Sequence, residues 1–104
     1  LKDVPEDVRA RVLLAADYAV SGRGADAERE LQKAVDLRPN DSNILYNAAC
    51  TYGVMQKKPE AIAMLRRAKA AGYANPDWIR RDPDLACLHG EPDFEKLFEP
   101  SSKA

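Results

Sequence analysis

The sequence predicts an all-α fold made of two helix-turn-helix repeats followed by short C-terminal helices. Three observations predict this fold. The chain matches itself at a constant offset of about 34 residues, proline and glycine separate its apolar segments at regular points, and no segment alternates apolar and polar residues as a half-buried strand does. The residues paired by the offset are Ala15 with Ala49, Tyr18 with Tyr52, Ala27 with Ala61, Leu31 with Leu65, and Ala34 with Ala68.

The helices of the two repeats are bounded by local chemistry. We expect the first to run from about Pro5 to Val20, because proline suits a first turn and glycine permits the turn at 21–24. The second covers about residues 25–37 and is closed by Pro39. An N-cap within 40–42 starts the third, at about 42–55, and Pro59 lies in the first turn of the fourth, which ends at Gly72.

The remaining segment predicts a cap for the open end of the array. Pro76, Pro83 and Pro92 each follow a polar residue and precede an aspartate, which is typical of short helix starts. Residues 57–81 carry seven Lys and Arg against two acids, and residues 82–99 carry six acids against one Lys, so the two segments can attract each other or remain solvated faces. The expected apolar anchors are Trp78, Ile79, Leu85, Leu88, Phe94, Leu97 and Phe98.

Length and composition limit the classes of function. With 104 residues and a formal net charge of -1, the chain fits one domain over 1–104 and lacks the basic excess that recruits nucleic acid or an anionic membrane. The longest apolar run has five residues, so no membrane insertion is expected. Two cysteines outside any CxxC pair favour free thiols in a reducing compartment, and we expect a cytoplasmic location.

Enzyme and metal motifs do not form a working set. The segment 22–24 lacks the third glycine of a dinucleotide-binding loop, and His89 is the single histidine, with Cys87 on a different face of its short helix. Cys50 has no local histidine to activate it. We therefore predict no catalytic residue, no metal, no cofactor and no enzyme activity.

The repeated pattern resembles the tetratricopeptide repeat family. The residues that carry the resemblance are Leu14, Ala15, Tyr18, Ala27, Leu31, Ala34 and Pro39 in the first copy, and Ala48, Ala49, Tyr52, Ala61, Leu65 and Ala68 in the second. The resemblance implies a right-handed α-α superhelix with repeat one at about 8–41, repeat two at about 42–75 and a helical cap at about 76–99. There are two departures from the family pattern. The large residue expected early in each first helix is Arg11 in copy one and Leu45 in copy two, and Tyr73 replaces the closing proline of copy two.

The resemblance also implies a function. In such arrays the first helix of each repeat lines a concave groove, which predicts a non-catalytic module that binds a protein or peptide segment. The family's groove positions fall on Arg9, Val12, Leu13, Ala16, Asn43, Tyr46, Asn47, Cys50 and Val54, with Ala19, Val20 and Gly53 beside them. Hydrogen bonding by Asn47 and contact area from Tyr46 are expected. Only Asn47 matches the family members that clamp a chaperone's terminal carboxylate, so that ligand is not expected.

Three alternatives stay open for this groove. It can be filled by a neighbouring repeat, by a second copy of the chain as a homodimer, or by a preceding domain of the parent protein. The closing segment also resembles the end of tetratricopeptide regions in bacterial multidomain proteins. That resemblance implies a regulatory segment acting in cis on a kinase, a nucleotide cyclase or a transcription regulator.

Overall fold

A computed structural model describes residues 8–73 and 75–97, and every regular element in these ranges is helical. The four long helices are α1 (Val8–Val20), α2 (Gly24–Leu37), α3 (Ser42–Val54) and α4 (Lys58–Ala70). Three short ones follow: α5 (Pro76–Arg81), a 3-10 helix (Pro83–Leu88) and α6 (Pro92–Lys96). The all-α prediction is confirmed for the described ranges, and the expected start at Pro5 lies outside them.

Local capping explains where these helices begin. The Asp41 carboxylate accepts hydrogen bonds from the backbone N–H groups of Asn43 and Ile44 at 3.0 and 3.2 Å, which starts α3. Asp82 accepts from the Asp84 N–H at 3.0 Å and starts the 3-10 helix in the same way. Each of the three short helices has proline in its first turn, as the sequence predicts.

Consecutive long helices pack in pairs, and burial follows the repeat offset found in the sequence. Helix α1 packs on α2 and α3 on α4, while α1 also contacts α3. Equivalent positions are buried to the same degree: Ala15 and Ala49 at 0%, Ala27 and Ala61 at 0%, Leu31 and Leu65 at 1% and 3%, and Ala34 and Ala68 at 0% and 1%. Alanine at these positions lets the helices approach closely, and leucine fills the space between them.

The short helices close the core at the α3 and α4 end. Leu85, Leu88 and Phe94 are buried within the same cluster as Leu45 and Leu65, which confirms them as anchors. Ile79 and Leu97 are partly buried against this cluster. Phe98 lies outside the described residues.

Trp78 does not act as an anchor, which corrects the prediction. Its side chain is 42% exposed, and α5 contributes no buried residue. The helix is only six residues long and is tied to the 3-10 helix that follows it. The Asn75 side chain caps α5, so local capping is enough to form this turn without burial of its tryptophan.

Charge attraction between α4 and the cap is also present. Lys58 pairs with Glu91 at 3.1 Å and Arg66 with Asp93 at 3.7 Å. The Lys69 ammonium donates to the Leu97 carbonyl at 2.8 Å. These groups are substantially solvent-accessible, so each pair contributes about 0–1 kcal/mol and orients the cap, while its apolar anchors supply the larger stabilisation.

The arginine and tyrosine that depart from the repeat pattern both have partners. Arg11 pairs with Glu30 of α2 at 2.7 Å. The Tyr73 ring stacks on the Tyr46 ring, with centroids 4.3 Å apart and planes 6° apart. In the ranges that the structure describes, no helix is long and apolar enough to span a membrane.

Candidate functional site

A groove opens between α1 and α3. It has a volume of about 450 Å³, and one wall comes from the first residues of the 3-10 helix. Positions four and seven residues apart lie on one helical face, which is why Arg9, Leu13 and Ala16 share it. We call this the concave groove, and its lining residues are Arg9, Ala10, Val12, Leu13, Ala16, Asn47, Cys50, Thr51 and Asp84.

A smaller pocket of about 370 Å³ adjoins the concave groove and shares Arg9 and Asn47 with it. It extends towards the connection between α2 and α3, where Arg38, Asp41 and Asn43 line it. Asn43 and Asn47 are four residues apart on α3 and are both exposed. The two spaces therefore form one continuous surface that is more polar at the α2 side.

Seven of the nine sequence-predicted groove residues line these two spaces. They are Arg9, Val12, Leu13, Ala16, Asn43, Asn47 and Cys50. Leu13 is 69% exposed, whereas Val12 is buried beneath it with 5% exposure. Val54 is 38% exposed but lies outside both linings.

Tyr46 is buried, which corrects the expectation that it offers contact area to a partner. Only 5% of the residue is exposed, because Tyr73 covers its ring and the cap covers its hydroxyl. The Tyr46 hydroxyl donates to Asp82 Oδ2 at 2.5 Å. On α3, the chain's own C-terminal segment thus covers a side chain that was expected to contact a partner.

Asp82 is the centre of a buried polar cluster. Its Oδ2 atom also accepts a hydrogen bond from the Cys50 thiol at 3.4 Å, and its Oδ1 atom accepts from the Asp84 N–H. Burial, followed by the contact with Asp82, raises the pKa of the Tyr46 hydroxyl. Burial and the Asp82 charge likewise raise the pKa of the Cys50 thiol. Both groups therefore remain protonated donors to the carboxylate.

Gly53 allows the 3-10 helix to approach α3 closely. A Cβ atom on Gly53 would overlap the Asp84 carbonyl oxygen and would lie 3.2 Å from Leu85 Cδ2. The Cys87 thiol also donates to the Gly53 carbonyl at 3.4 Å. No side chain larger than hydrogen fits at this contact without a shift of backbone.

The chemistry available at this site is limited. Cys50, Asp82 and Asp84 place possible metal-ligand atoms within 4.8 Å of one another, but both Asp82 oxygens already accept hydrogen bonds from protein donors. A thiol with a raised pKa is a poor nucleophile. His89 is engaged elsewhere, with Nε2 at 2.8 Å from the Arg80 carbonyl and its ring beside Phe94.

Comparison with known proteins gives one similarity of modest extent. The chain is 27% identical over 85 residues to a chloroplastic protein of Arabidopsis thaliana. The alignment covers 79% of this chain and 25% of that protein, so the chain spans about a quarter of the length of this relative. No model of a protein family and no solved structure matches the chain.

The contribution of the cap to the site was missed from sequence. The sequence predicts helix-start and acidic-segment roles for Asp82 and Asp84, and no contact with α3, although Asp82 reaches Tyr46 across 36 residues of sequence. The available signal was Tyr73, which stands where the resemblance implies a closing proline and which stacks on Tyr46. Gly53, at a position where a helix normally favours a larger residue, was a second signal.

Proposed function

We propose that the chain is a two-repeat tetratricopeptide array with its own cap, and that it binds a peptide segment of a partner protein without catalysis. The matching burial of equivalent positions in the two copies supports the repeat assignment. The observation that carries the binding proposal is the concave groove, in which an exposed Leu13 lies beside the polar groups of Arg9 and Asn47. Apolar contact area with a few polar groups is the usual composition of a peptide-binding surface.

The cap sets the extent of this binding surface. Tyr46 is covered by Tyr73 and Asp82, and Gly53 is covered by the 3-10 helix. Arg9, Leu13 and Asn47 remain exposed. A partner segment therefore binds along α1 and the first half of α3, and ends at the wall formed by Asp84. This length of surface suits a short extended or helical segment.

A binding experiment tests the proposal. Peptides selected from a randomised display library on the immobilised protein are measured by fluorescence anisotropy against Leu13→Gln and against Arg9→Glu combined with Asn47→Ala. Leu37→Gln is the matched control, because Leu37 is 45% exposed at the end of α2 and does not line the groove. We expect both groove variants to weaken binding and the control to leave it unchanged. Failure to select any peptide, or equal binding by all variants, would refute the proposal.

A second candidate is a regulatory segment that acts in cis on another domain. The observation that favours it is the alignment to the Arabidopsis protein, in which the similar region makes up only a quarter of a longer chain. The reading frame upstream of Leu1 distinguishes the two. A kinase, cyclase or DNA-binding domain there favours regulation in cis, and further helical repeats favour a binding scaffold.

A further inference from the structure

The two sides of the concave groove carry opposite charges. Arg9 lines it from α1, and Asp84 lines it from the 3-10 helix. Both residues are exposed, and the apolar side chains of Val12, Leu13 and Ala16 lie in the same lining. An occupant therefore meets a cation, an apolar surface and an anion within one space of about 450 Å³.

The next feature is the pair of carboxylates, Asp82 and Asp84, on the acidic side of the groove. Asp84 lies close to the buried Asp82. In the described part of the chain, neither carboxylate forms an ion pair with a basic side chain. The Asp82 oxygens are engaged by Tyr46, Cys50 and the Asp84 N–H, whereas Asp84 is exposed and lines the groove. Burial and the neighbouring Asp82 charge raise the pKa of Asp84. A cation at this position would interact favourably with both carboxylates.

The opposite, basic side of the groove and the adjoining smaller pocket carry two arginines, Arg9 and Arg38. Arg9 lines both spaces, and Arg38 lines the smaller one. Among the described residues neither guanidinium forms an ion pair, although other arginines of the chain do. The exposed Asn43 and Asn47 line the same smaller pocket and supply further hydrogen-bonding groups. Carboxylate is the partner that an arginine binds best, through two parallel hydrogen bonds.

We propose that the groove selects a peptide segment of mixed charge, with a Lys or Arg towards Asp84, an apolar side chain on Leu13 and an acidic residue towards Arg9. This inference rests on the proposed peptide-binding function and adds the chemistry and direction of the ligand. The charge pattern also excludes the reverse orientation of the same peptide, because like charges would then meet at both sides. The cap contributes Asp84, which selects the basic residue of the peptide.

Charge-exchange variants test the inference. A randomised peptide display library is selected in parallel on the wild-type chain, Asp84→Asn, Asp84→Lys and Arg9→Glu. Asp77→Asn is the matched control, because Asp77 is also an exposed aspartate in the first turn of a short cap helix but does not line the groove. We expect wild type and the control to enrich a basic and an acidic residue on opposite sides of an apolar one.

The variants should change this selection in a defined way. Asp84→Asn should abolish the basic preference and weaken wild-type-selected peptides by about two- to fivefold, the effect of one partly exposed ion pair. Asp84→Lys should replace the basic preference by an acidic one, and Arg9→Glu should do the same on the other side with opposite sign. Chelation by EDTA should leave the selection unchanged.

The possible failures are distinguishable. Selection of groove-dependent peptides without a basic preference, or with one that Asp84→Asn leaves intact, overturns this inference while peptide binding stands. A basic preference that appears only after EDTA is added also overturns it, because a metal ion would then occupy the carboxylates in the untreated protein. Selection of no peptide at all overturns both the inference and the proposed function.

Discussion

Gly53→Ala is the most informative single substitution, because two effects of known sign compete at one position. Inside an ordinary helix, replacing glycine by alanine stabilises the folded state by about 1 kcal/mol. At Gly53 the added methyl group would overlap the Asp84 carbonyl oxygen and press on Leu85 Cδ2 at 3.2 Å. The overlap is with backbone, so rotation of a side chain cannot relieve it.

The magnitude follows from these two terms. Overpacking of a well-packed core costs about 1–3 kcal/mol, and the gain in helix propensity offsets about 1 kcal/mol of it. We therefore expect Gly53→Ala to lower the free energy of unfolding by up to about 2 kcal/mol. For a domain of this size, each kcal/mol lowers the melting temperature by about 4–8 °C. Displacement of the cap would also expose Leu85 and separate Asp82 from Tyr46.

Urea denaturation and thermal melts followed by circular dichroism measure the effect. Gly24→Ala is the matched control, since Gly24 is the first residue of α2 and its Cβ would meet only Met55 Sδ at 3.6 Å, an ordinary contact. We expect the control to be as stable as wild type or up to about 1 kcal/mol more stable. If Gly53→Ala is stabilised like the control, the 3-10 helix does not pack on α3 as described and the reasoning is refuted.

Three further predictions concern the cap and its buried cluster. Tyr46→Phe should lower the free energy of unfolding by about 1–3 kcal/mol in urea titrations, since it removes a donor from the buried Asp82 carboxylate; an unchanged stability would contradict this bond. Phe94→Ala should cost about 3–5 kcal/mol because its side chain is 1% exposed, and a loss below about 1 kcal/mol in the same titrations would show that the cap is merely appended. Asp84→Asn should stabilise the folded chain at neutral pH, because folding raises the pKa of Asp84 and so penalises its ionised carboxylate. This gain in stability should shrink as the pH falls towards 3.8. A gain that is independent of pH in thermal melts would contradict the raised pKa of Asp84.

Much of the helical framework was predictable because its signals are local. The starts at Pro76, Pro83 and Pro92 depend on a preceding polar residue and on the fixed φ of proline, and both can be recognised within a few residues of sequence. The ends of α1 and α4 depend in the same way on Gly22 and Gly72, whose φ angles of 79° and 111° favour glycine. Segments of this kind have one favourable local conformation, so distant residues change their limits by only a residue or two.

The candidate site was predictable only in part. The family resemblance implied which positions of α1 and α3 face a groove, and Arg9, Leu13 and Asn47 line one groove in the structure. The predicted exposure of Tyr46 and the predicted burial of Trp78 were wrong. Whether an aromatic side chain on a helix is covered depends on segments far along the chain. Tyr46 is covered by Tyr73 and Asp82, whereas Trp78 is 42% exposed.

The amino-acid sequence by itself determined the helical class, the constant offset between the two copies and the short proline-led helices, because capping, turn chemistry and periodicity act over one or two helical turns. Only the tertiary structure decided how the cap meets α3. That contact joins Tyr46 to Asp82 and places the Asp84 backbone against Gly53, and each pairing joins segments that are far apart in the sequence. Its free energy comes from burial and from a hydrogen-bonded carboxylate, which depend on all the packed elements together and have no local signature in the sequence.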